Sequence, residues 1–251
     1  MVKIYVARHG QDVDNSNGIL NGHRDEPLTD LGREQAKDVA RKMVKAGITI
    51  ASSSNAKTAA PSTAAATVLS AIYSSPLRRA HETAEIFADI LSSSTGGLGG
   101  EQSLLPVDVN NKPKVEILND LIERNFGALT GQPTSSILDN CRAADILVTE
   151  KINYFLCPPG AETFPELIER ANRLLSHFQK ITGAEEDNAT SSSILLVTHG
   201  DFGKMLYAAY YNLQWDEVLK QFHFGNSEVL LLAKDSPPEK AHIFETCQFN
   251  S

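Results

Sequence analysis

Apolar and polar positions along the 251-residue chain alternate between a period of two and a period near 3.6, the pattern of a domain in which strands and helices follow one another. One apolar run, Lys3 to Ala7, ends in Arg8-His9-Gly10, and a second, Ile194 to Val197, ends in Thr198-His199-Gly200. A short apolar run closed by a Gly-marked turn predicts a buried strand. Ala71–Ser74 and Lys114–Leu118 predict two more strands of a parallel set. Val229–Ala233 and His242–Thr246 close the chain as strands at an antiparallel edge. Between them run four helical stripes. The first is Ala36, Val39, Ala40 and Met43, with Thr29 or Asp30 placed to cap it, and the second is Ala80, Ala84, Phe87 and Leu91. The third, Phe164, Leu167, Ile168, Ala171, Leu174, Leu175 and Phe178, is the longest, and Phe202, Met205, Leu206 and Ala209 make the fourth.

The polar stretch Gln11–Glu26 has no period and predicts a loop, and the mixed stretch 134–160 predicts a segment that covers a crevice. Three segments low in complexity, near 52–67, 92–103 and 182–193, have little to bury and are expected to be surface loop insertions in a single domain spanning 1–251. The fold class expected is α/β, a mostly parallel sheet with helices on both faces. In such a sheet ligands bind beyond the carboxyl ends of the strands, so neighbouring first and last parallel strands would bring His9 and His199 into one crevice.

Composition narrows the function. With 41% hydrophobic and 22% charged residues the chain has enough apolar material for a real core, and its net charge of -8 argues against a general nucleic-acid binder. A local arginine cluster still permits a small anionic ligand. The three cysteines, Cys141, Cys157 and Cys247, have no metal-ligand spacing and fit a reducing compartment. The first strand begins at Lys3, so no signal peptide is expected, and no apolar run is long enough to cross a membrane. These features predict a cytoplasmic protein with no membrane partner.

Two imidazoles beside an arginine suit phosphate chemistry. Imidazole attacks phosphorus directly and forms a phosphohistidine, dividing one displacement into two easier ones. Arginine neutralises the non-bridging oxygens and stays charged. The leaving oxygen needs a proton from a nearby acid. Arg8 precedes His9, Arg79 opens a helix after Ser75-Pro76-Leu77-Arg78, and Glu123 follows the third strand. Helix N-termini at that edge add N–H groups for an anion. Arg78 is expected in solvent, because adjacent helical residues do not face the same way. Glu123 beside Arg124 has a plainer reading as a structural ion pair, and His23 and Arg24 have one as turn residues. Glu162 and Thr163 fit a helix cap. His81, His177, His223 and His242 lack any phosphate-binding context.

The ordered set of motifs resembles the histidine phosphatase superfamily, the phosphoglycerate mutase-like fold. The resemblance is carried by Arg8-His9-Gly10, Asn15, Gly22-His23-Arg24-Asp25-Glu26-Pro27-Leu28-Thr29-Asp30-Leu31-Gly32, Ser75-Pro76-Leu77-Arg78-Arg79-Ala80, Glu123-Arg124-Asn125-Phe126-Gly127, Pro159-Gly160-Ala161-Glu162-Thr163 and Thr198-His199-Gly200. It implies that His9 is the phosphorylated nucleophile. Arg8, Arg79 and His199 then hold the phosphoryl oxygens with help from Asn15, and Glu123 is proton donor and later base. Gly22, His23 and Arg24 are candidate substrate contacts. No metal or organic cofactor is implied. Asp12 departs from the pattern, standing where a small hydroxyl residue is usual; a carboxylate there repels phosphate unless a cation pairs with it.

Within the resemblance, hydrolysis of small phosphorylated metabolites, of sugar phosphate or bisphosphate type, is favoured over a phosphoglycerate mutase. Between Gln132 and Thr163 the only cations are Arg142 and Lys151, too few for a site that must hold a phosphoglycerate carboxylate, and the His- and Trp-containing pattern of the mutases is missing after Gly127. A non-catalytic phosphate-binding protein is the third reading, and it requires Asp12 to be disabling.

Overall fold

A computed structural model describes residues 2–50, 67–93, 113–149, 152–183 and 193–244. The chain runs β1 (Lys3–Arg8), α1 (Val13–Ser16), α2 (Asp30–Lys45), β2 (Ile48–Ile50), β3 (Thr67–Ser74), α3 (Arg78–Ser93) and β4 (Glu116–Ile117). It continues through α4 (Ile137–Asn140), β5 (Ile146–Val148), β6 (Asn153–Phe155), α5 (Phe164–Gly183), β7 (Ser193–Thr198), α6 (Gly200–Tyr211), α7 (Trp215–Gln221) and β8 (Val229–Leu232). The loop insertions expected near 52–67, 92–103 and 182–193 lie outside the described residues apart from their outermost positions, which belong to β3, α3, α5 and β7.

Six strands form the main sheet in the order β2-β3-β7-β1-β8, with β4 pairing to the far end of β3. All pairings are parallel except β1 with β8. Side chains alternate across the sheet, as the period of two demands. Ile4 and Val6 of β1 join Ile194 and Leu196 of β7 in a core covered by α5, α6 and α7. Tyr5 and Ala7 join Leu195 and Val197 in a second core covered by α2 and α3. Each fully buried phenylalanine, such as Phe87 on one face and Phe202 on the other, contributes about 1.5–3 kcal/mol of burial. The α/β architecture with helices on both faces is therefore as expected.

Thr29 caps α2, its hydroxyl accepting from Gly32 N, and the four helical stripes all face the sheet. Four details differ from the expectation. The stretch Gln11–Glu26, expected as a loop, contains the helical turn α1, capped by the Asp12 side chain accepting from Asn15 N. Ile48–Ile50 forms an edge strand too short to show a period. The predicted strand Lys114–Leu118 contracts to Glu116–Ile117, both exposed. His242 pairs with Leu230 only as an isolated bridge rather than within a strand, and residues 245–246 lie outside the described residues. A two-stranded antiparallel sheet, β5 with β6, projects from the stretch that had no clean period. With Leu20, Phe126 and Leu129 it builds a third apolar cluster around Ile137 and Phe155.

Candidate active site

Parallel register puts the two histidines at one edge. Arg8 pairs with Thr198 across β1 and β7, and His9 N donates to Thr198 O at 3.0 Å. The His9 and His199 rings stand with centroids 5.0 Å apart, both buried. Gly10 lets this turn form: a Cβ there would lie 2.3 Å from Gly32 O, so the start of α2 presses directly on the turn. Gly200 does the same for Arg8, because its missing side chain leaves room for the guanidinium, 3.2 Å from an ideal Cβ position.

The His9 ring is oriented by its neighbour. Nδ1 lies 2.7 Å from Gly10 O and donates to it, which leaves Nε2 as the nitrogen with the lone pair. Burial, reinforced by the Arg79 and Arg8 charges, holds His9 well below the usual imidazole range, and so the ring is neutral. His199 is held down in the same way by burial and by Arg79. His199 Nε2 meets Ser75 Oγ at 2.7 Å, while its Nδ1 is buried with no partner among the described residues. Arg8 Nε and Asn15 Oδ1 are likewise buried and unpartnered there. Buried polar atoms are seldom left unpaired, so three such atoms around one histidine mark a place built for a polar ligand.

Arg79 is wholly buried, and Arg78 is exposed as expected. Arg79 Nη1 and Nη2 donate to Arg24 O and Gly22 O at 2.7 and 2.8 Å, tying the loop after β1 to the start of α3. Its Nε faces His9 Nε2 at 3.3 Å and Asp12 Oδ2 at 3.2 Å. Asp12 is also wholly buried and accepts from Asn15 N and Asn21 Nδ2, each at 2.7 Å. Burial raises its carboxyl above the ordinary value against the opposing pull of Arg79. The departure from the usual hydroxyl is thus accommodated by a cation.

Glu123 is placed by a loop that Thr198 Oγ1 holds through Leu121 O at 2.7 Å. Its carboxylate accepts from Arg124 N, Phe202 N and Asp201 N, the last two in the first turn of α6. Burial, then the Asp201 charge, raises its pKa despite these donors. The plainer reading of Glu123 as the ion-pair partner of Arg124 fails: Arg124 Nε pairs with Asp201 at 3.0 Å, and its guanidinium lies over the rings of Phe126, Phe155 and Phe164. Arg170 of α5 escaped the sequence reading. It donates to Asp120 O, Ile122 O and Glu123 O and pairs with Glu162, fixing the backbone that carries Glu123. The signal was present in the chain: a charged residue beside Ala171 in the longest apolar stripe.

A cavity of about 430 Å³ opens beside these groups. Arg8, Asn15, Asn21, Glu123 and Gly200 line it on one side, and Phe126, Ile137, Tyr154 and Phe155 wall it on the other. The stretch 134–160 does contribute its wall. Of the predicted site residues, Arg8, Asn15 and Glu123 line it, whereas His9, Arg79 and His199 lie buried behind that wall and Gly22, His23 and Arg24 are also not among its lining residues: the Gly22 carbonyl is taken by Arg79, His23 Nε2 donates to Glu123 O at 2.8 Å, and Arg24 pairs with Asp14 and Glu26. Glu162 is no helix cap, since Thr163 with Glu166 opens α5 and Glu162 serves Arg170.

Sequence comparison gives this geometry a family. The model of the histidine phosphatase superfamily (branch 1) matches residues 4–67 and 102–237. The chain belongs to that superfamily. Among its relatives, Phosphoglycerate mutase-like protein 4 of Arabidopsis thaliana is 29% identical over 210 residues, spanning 82% of this chain and 69% of the relative. A Hydrogenobacter thermophilus protein provisionally named phosphoserine phosphatase 2 is 34% identical over 204 residues, 79% of each chain. The crystal structure of Entamoeba histolytica phosphoserine phosphatase with 3-phosphoglyceric acid superposes with a TM-score of 0.63 at 20% identity, covering 92% of this chain and 90% of that one. This histidine phosphatase superfamily member therefore shares its fold with enzymes that bind small phosphorylated ligands.

Proposed function

We propose that the protein is a metal-independent phosphomonoesterase that works through a phosphohistidine on His9. The observation that carries this reading is the buried His9 ring, its Nδ1 fixed by Gly10 O and its Nε2 3.3 Å from Arg79 Nε, with buried unpartnered polar atoms on Arg8, Asn15 and His199. Nε2 attacks phosphorus and the P–O ester bond breaks as Glu123 gives its proton to the leaving oxygen. Arg8, Arg79 Nε, His199 and Asn15 take the phosphoryl oxygens; such fixed charges stabilise a largely dissociative transition state. Water then attacks the phosphohistidine, Glu123 accepts its proton, and the P–N bond breaks to release inorganic phosphate. Asp12 stands beside Arg79 throughout, and a phosphoryl group that pairs with Arg79 Nε competes with it.

The substrate is a small phosphorylated metabolite of a size set by the cavity. Relatives named for phosphoserine hydrolysis support the phosphatase branch. The relative named mutase-like supports transfer to a second hydroxyl as the other reading of the same phosphohistidine. Release of phosphate from p-nitrophenyl phosphate, sugar phosphates and phosphoserine in EDTA, lost in His9→Ala, is the expected result. Isomerisation of phosphoglycerate with a bisphosphoglycerate primer faster than any hydrolysis would replace the phosphatase with the mutase.

A further inference from the structure

The turn at residues 224–228, between α7 and β8, is fastened to both Arg8 and His9. Phe224 O accepts from Arg8 Nη1 at 2.7 Å, Ser227 N donates to His9 O at 3.1 Å, and Arg8 N donates to Glu228 O at 3.1 Å. One short turn therefore sets where the Arg8 guanidinium and the His9 backbone stand. The chain does not adopt this turn freely. Ser227 has a φ of 58°, in the left-handed region that is costly for any residue with a Cβ. Strain of that kind persists only where the surroundings over-determine it. The side-chain oxygens of Asn226 and Ser227 give no help, since both are buried without a partner among the described residues.

The Glu228 carboxylate supplies the fastening. The residue is only 2% exposed. Its Oε2 reaches back across the turn and accepts from Gly225 N at 2.7 Å, and its own N closes the turn on Gly225 O at 3.1 Å. A buried carboxylate is costly without partners, and His242 provides one more. His242 Nε2 donates to His223 O at 2.9 Å and stands 3.4 Å from the same Glu228 oxygen. Burial pushes the Glu228 pKa up, but the hydrogen bonds from His242 and Gly225 N outweigh it and bring the group below its ordinary value. The carboxylate is therefore ionised near neutral pH.

We infer that Glu228, backed by His242, is a positioning residue for the phosphoryl reaction: its side chain clamps the strained turn that fixes Arg8 and His9. The inference rests on the proposed phosphoryl site at His9. It adds to that site a group just before β8 that does not line the cavity, and it gives a role to a histidine that no phosphate-binding motif contains.

Two substitutions separate a geometric clamp from a simple counter-charge. Glu228→Gln keeps the length and an oxygen for Gly225 N but loses the charge. Glu228→Asp keeps the charge and draws the oxygen back by one methylene. Calorimetric titration of the full chain with orthovanadate should show affinity about tenfold weaker in Glu228→Asp, the loss of one hydrogen bond to a charged group, and within about threefold of the unmodified chain in Glu228→Gln. The reverse order would make Glu228 a counter-charge and overturn the clamp, as would equal affinities of the two variants. A tenfold loss in Glu228→Gln overturns it even if Glu228→Asp fails to fold. In a chain that also carries Arg8→Met the Glu228→Asp loss should largely vanish, and losses that add in full would sink the inference. Nitrogen-15 NMR of the ligand-free chain reads the clamp apart from the reaction: the His9 ring resonances should move in Glu228→Asp and stay in place in Glu228→Gln. Absence of vanadate binding by the unmodified chain would count against the phosphoryl site and leave those resonances to decide the clamp, which falls if they do not move in Glu228→Asp.

Discussion

Asp12 and Arg79 form an ion pair, Oδ2 to Nε 3.2 Å, with both side chains wholly buried 3.8 Å or less from the His9 ring. The pair places a carboxylate where a phosphoryl group would draw on Arg79. Asp12→Asn should therefore raise the affinity for orthovanadate or inorganic phosphate about tenfold near neutral pH. The same change leaves Arg79 without its counter-charge and should lower stability by about 3 kcal/mol, read as a lower Tm. Burial raises the Asp12 pKa above its ordinary value of 3.8, so the carboxylate ionises as pH rises beyond that point and phosphate affinity falls with it. That falling limb should be missing in Asp12→Asn, and a profile identical to that of the unmodified chain would show that Asp12 does not oppose phosphate.

On the proposed mechanism Glu123 should set the alkaline side of catalysis. It donates only while protonated, and burial with the Asp201 charge raises its pKa above the ordinary 4.5, extending the active form toward neutral pH. Rate should decline as pH rises through that shifted value. Glu123→Gln should cut kcat for an alkyl phosphate by about 10²- to 10⁴-fold and remove the limb. The loss should be smaller for p-nitrophenyl phosphate, whose leaving group needs less protonation. Equal losses for both esters would assign Glu123 a role other than proton donor.

Arg170 acts on Glu123 through backbone. Its guanidinium holds the carbonyls of Asp120, Ile122 and Glu123 and lies over the Phe202 ring, 4.2 Å from its centre. Arg170→Met should lower kcat about tenfold, shift the alkaline limb that Glu123 produces and leave KM for p-nitrophenyl phosphate within twofold. Unpaired carbonyls left behind should cost about 1–3 kcal/mol each way the loop cannot relax. A pH–rate profile that keeps its shape would reduce Arg170 to a fold residue.

Gly10 is a packing requirement as well as a motif letter. A methyl group there meets Gly32 O at 2.3 Å, and the obstacle is backbone rather than a flexible side chain. Gly10→Ala should destabilise the protein by about 1–3 kcal/mol and displace His9, so that Tm and kcat fall together.

The strands that carry His9 and His199, the helices on both faces and the residue types of the site were legible along the chain because each rests on a local rule: alternation, helical spacing, a glycine at a turn. Apart from Arg170, what escaped had no local signature. β2 is too short to show a period, and the hairpin β5–β6 is stabilised by contacts with Leu20, Phe126 and Leu129, far away in sequence. Arg24, readable from the chain as either a substrate contact or a turn residue, pairs with Asp14 and Glu26, a preference set by where the loop folds.

The sequence by itself determined which groups could perform phosphoryl chemistry and that parallel strands would deliver them to one edge, since strand ends and residue identities are local properties. Tertiary structure alone decided the partners: that Asp12 meets Arg79, that Arg124 turns to Asp201 and frees Glu123, and that the buried Lys204 donates to the Tyr154 hydroxyl. Charges choose partners through space, at distances fixed only when helices, sheet and cap have packed, and no spacing along the chain encodes those distances.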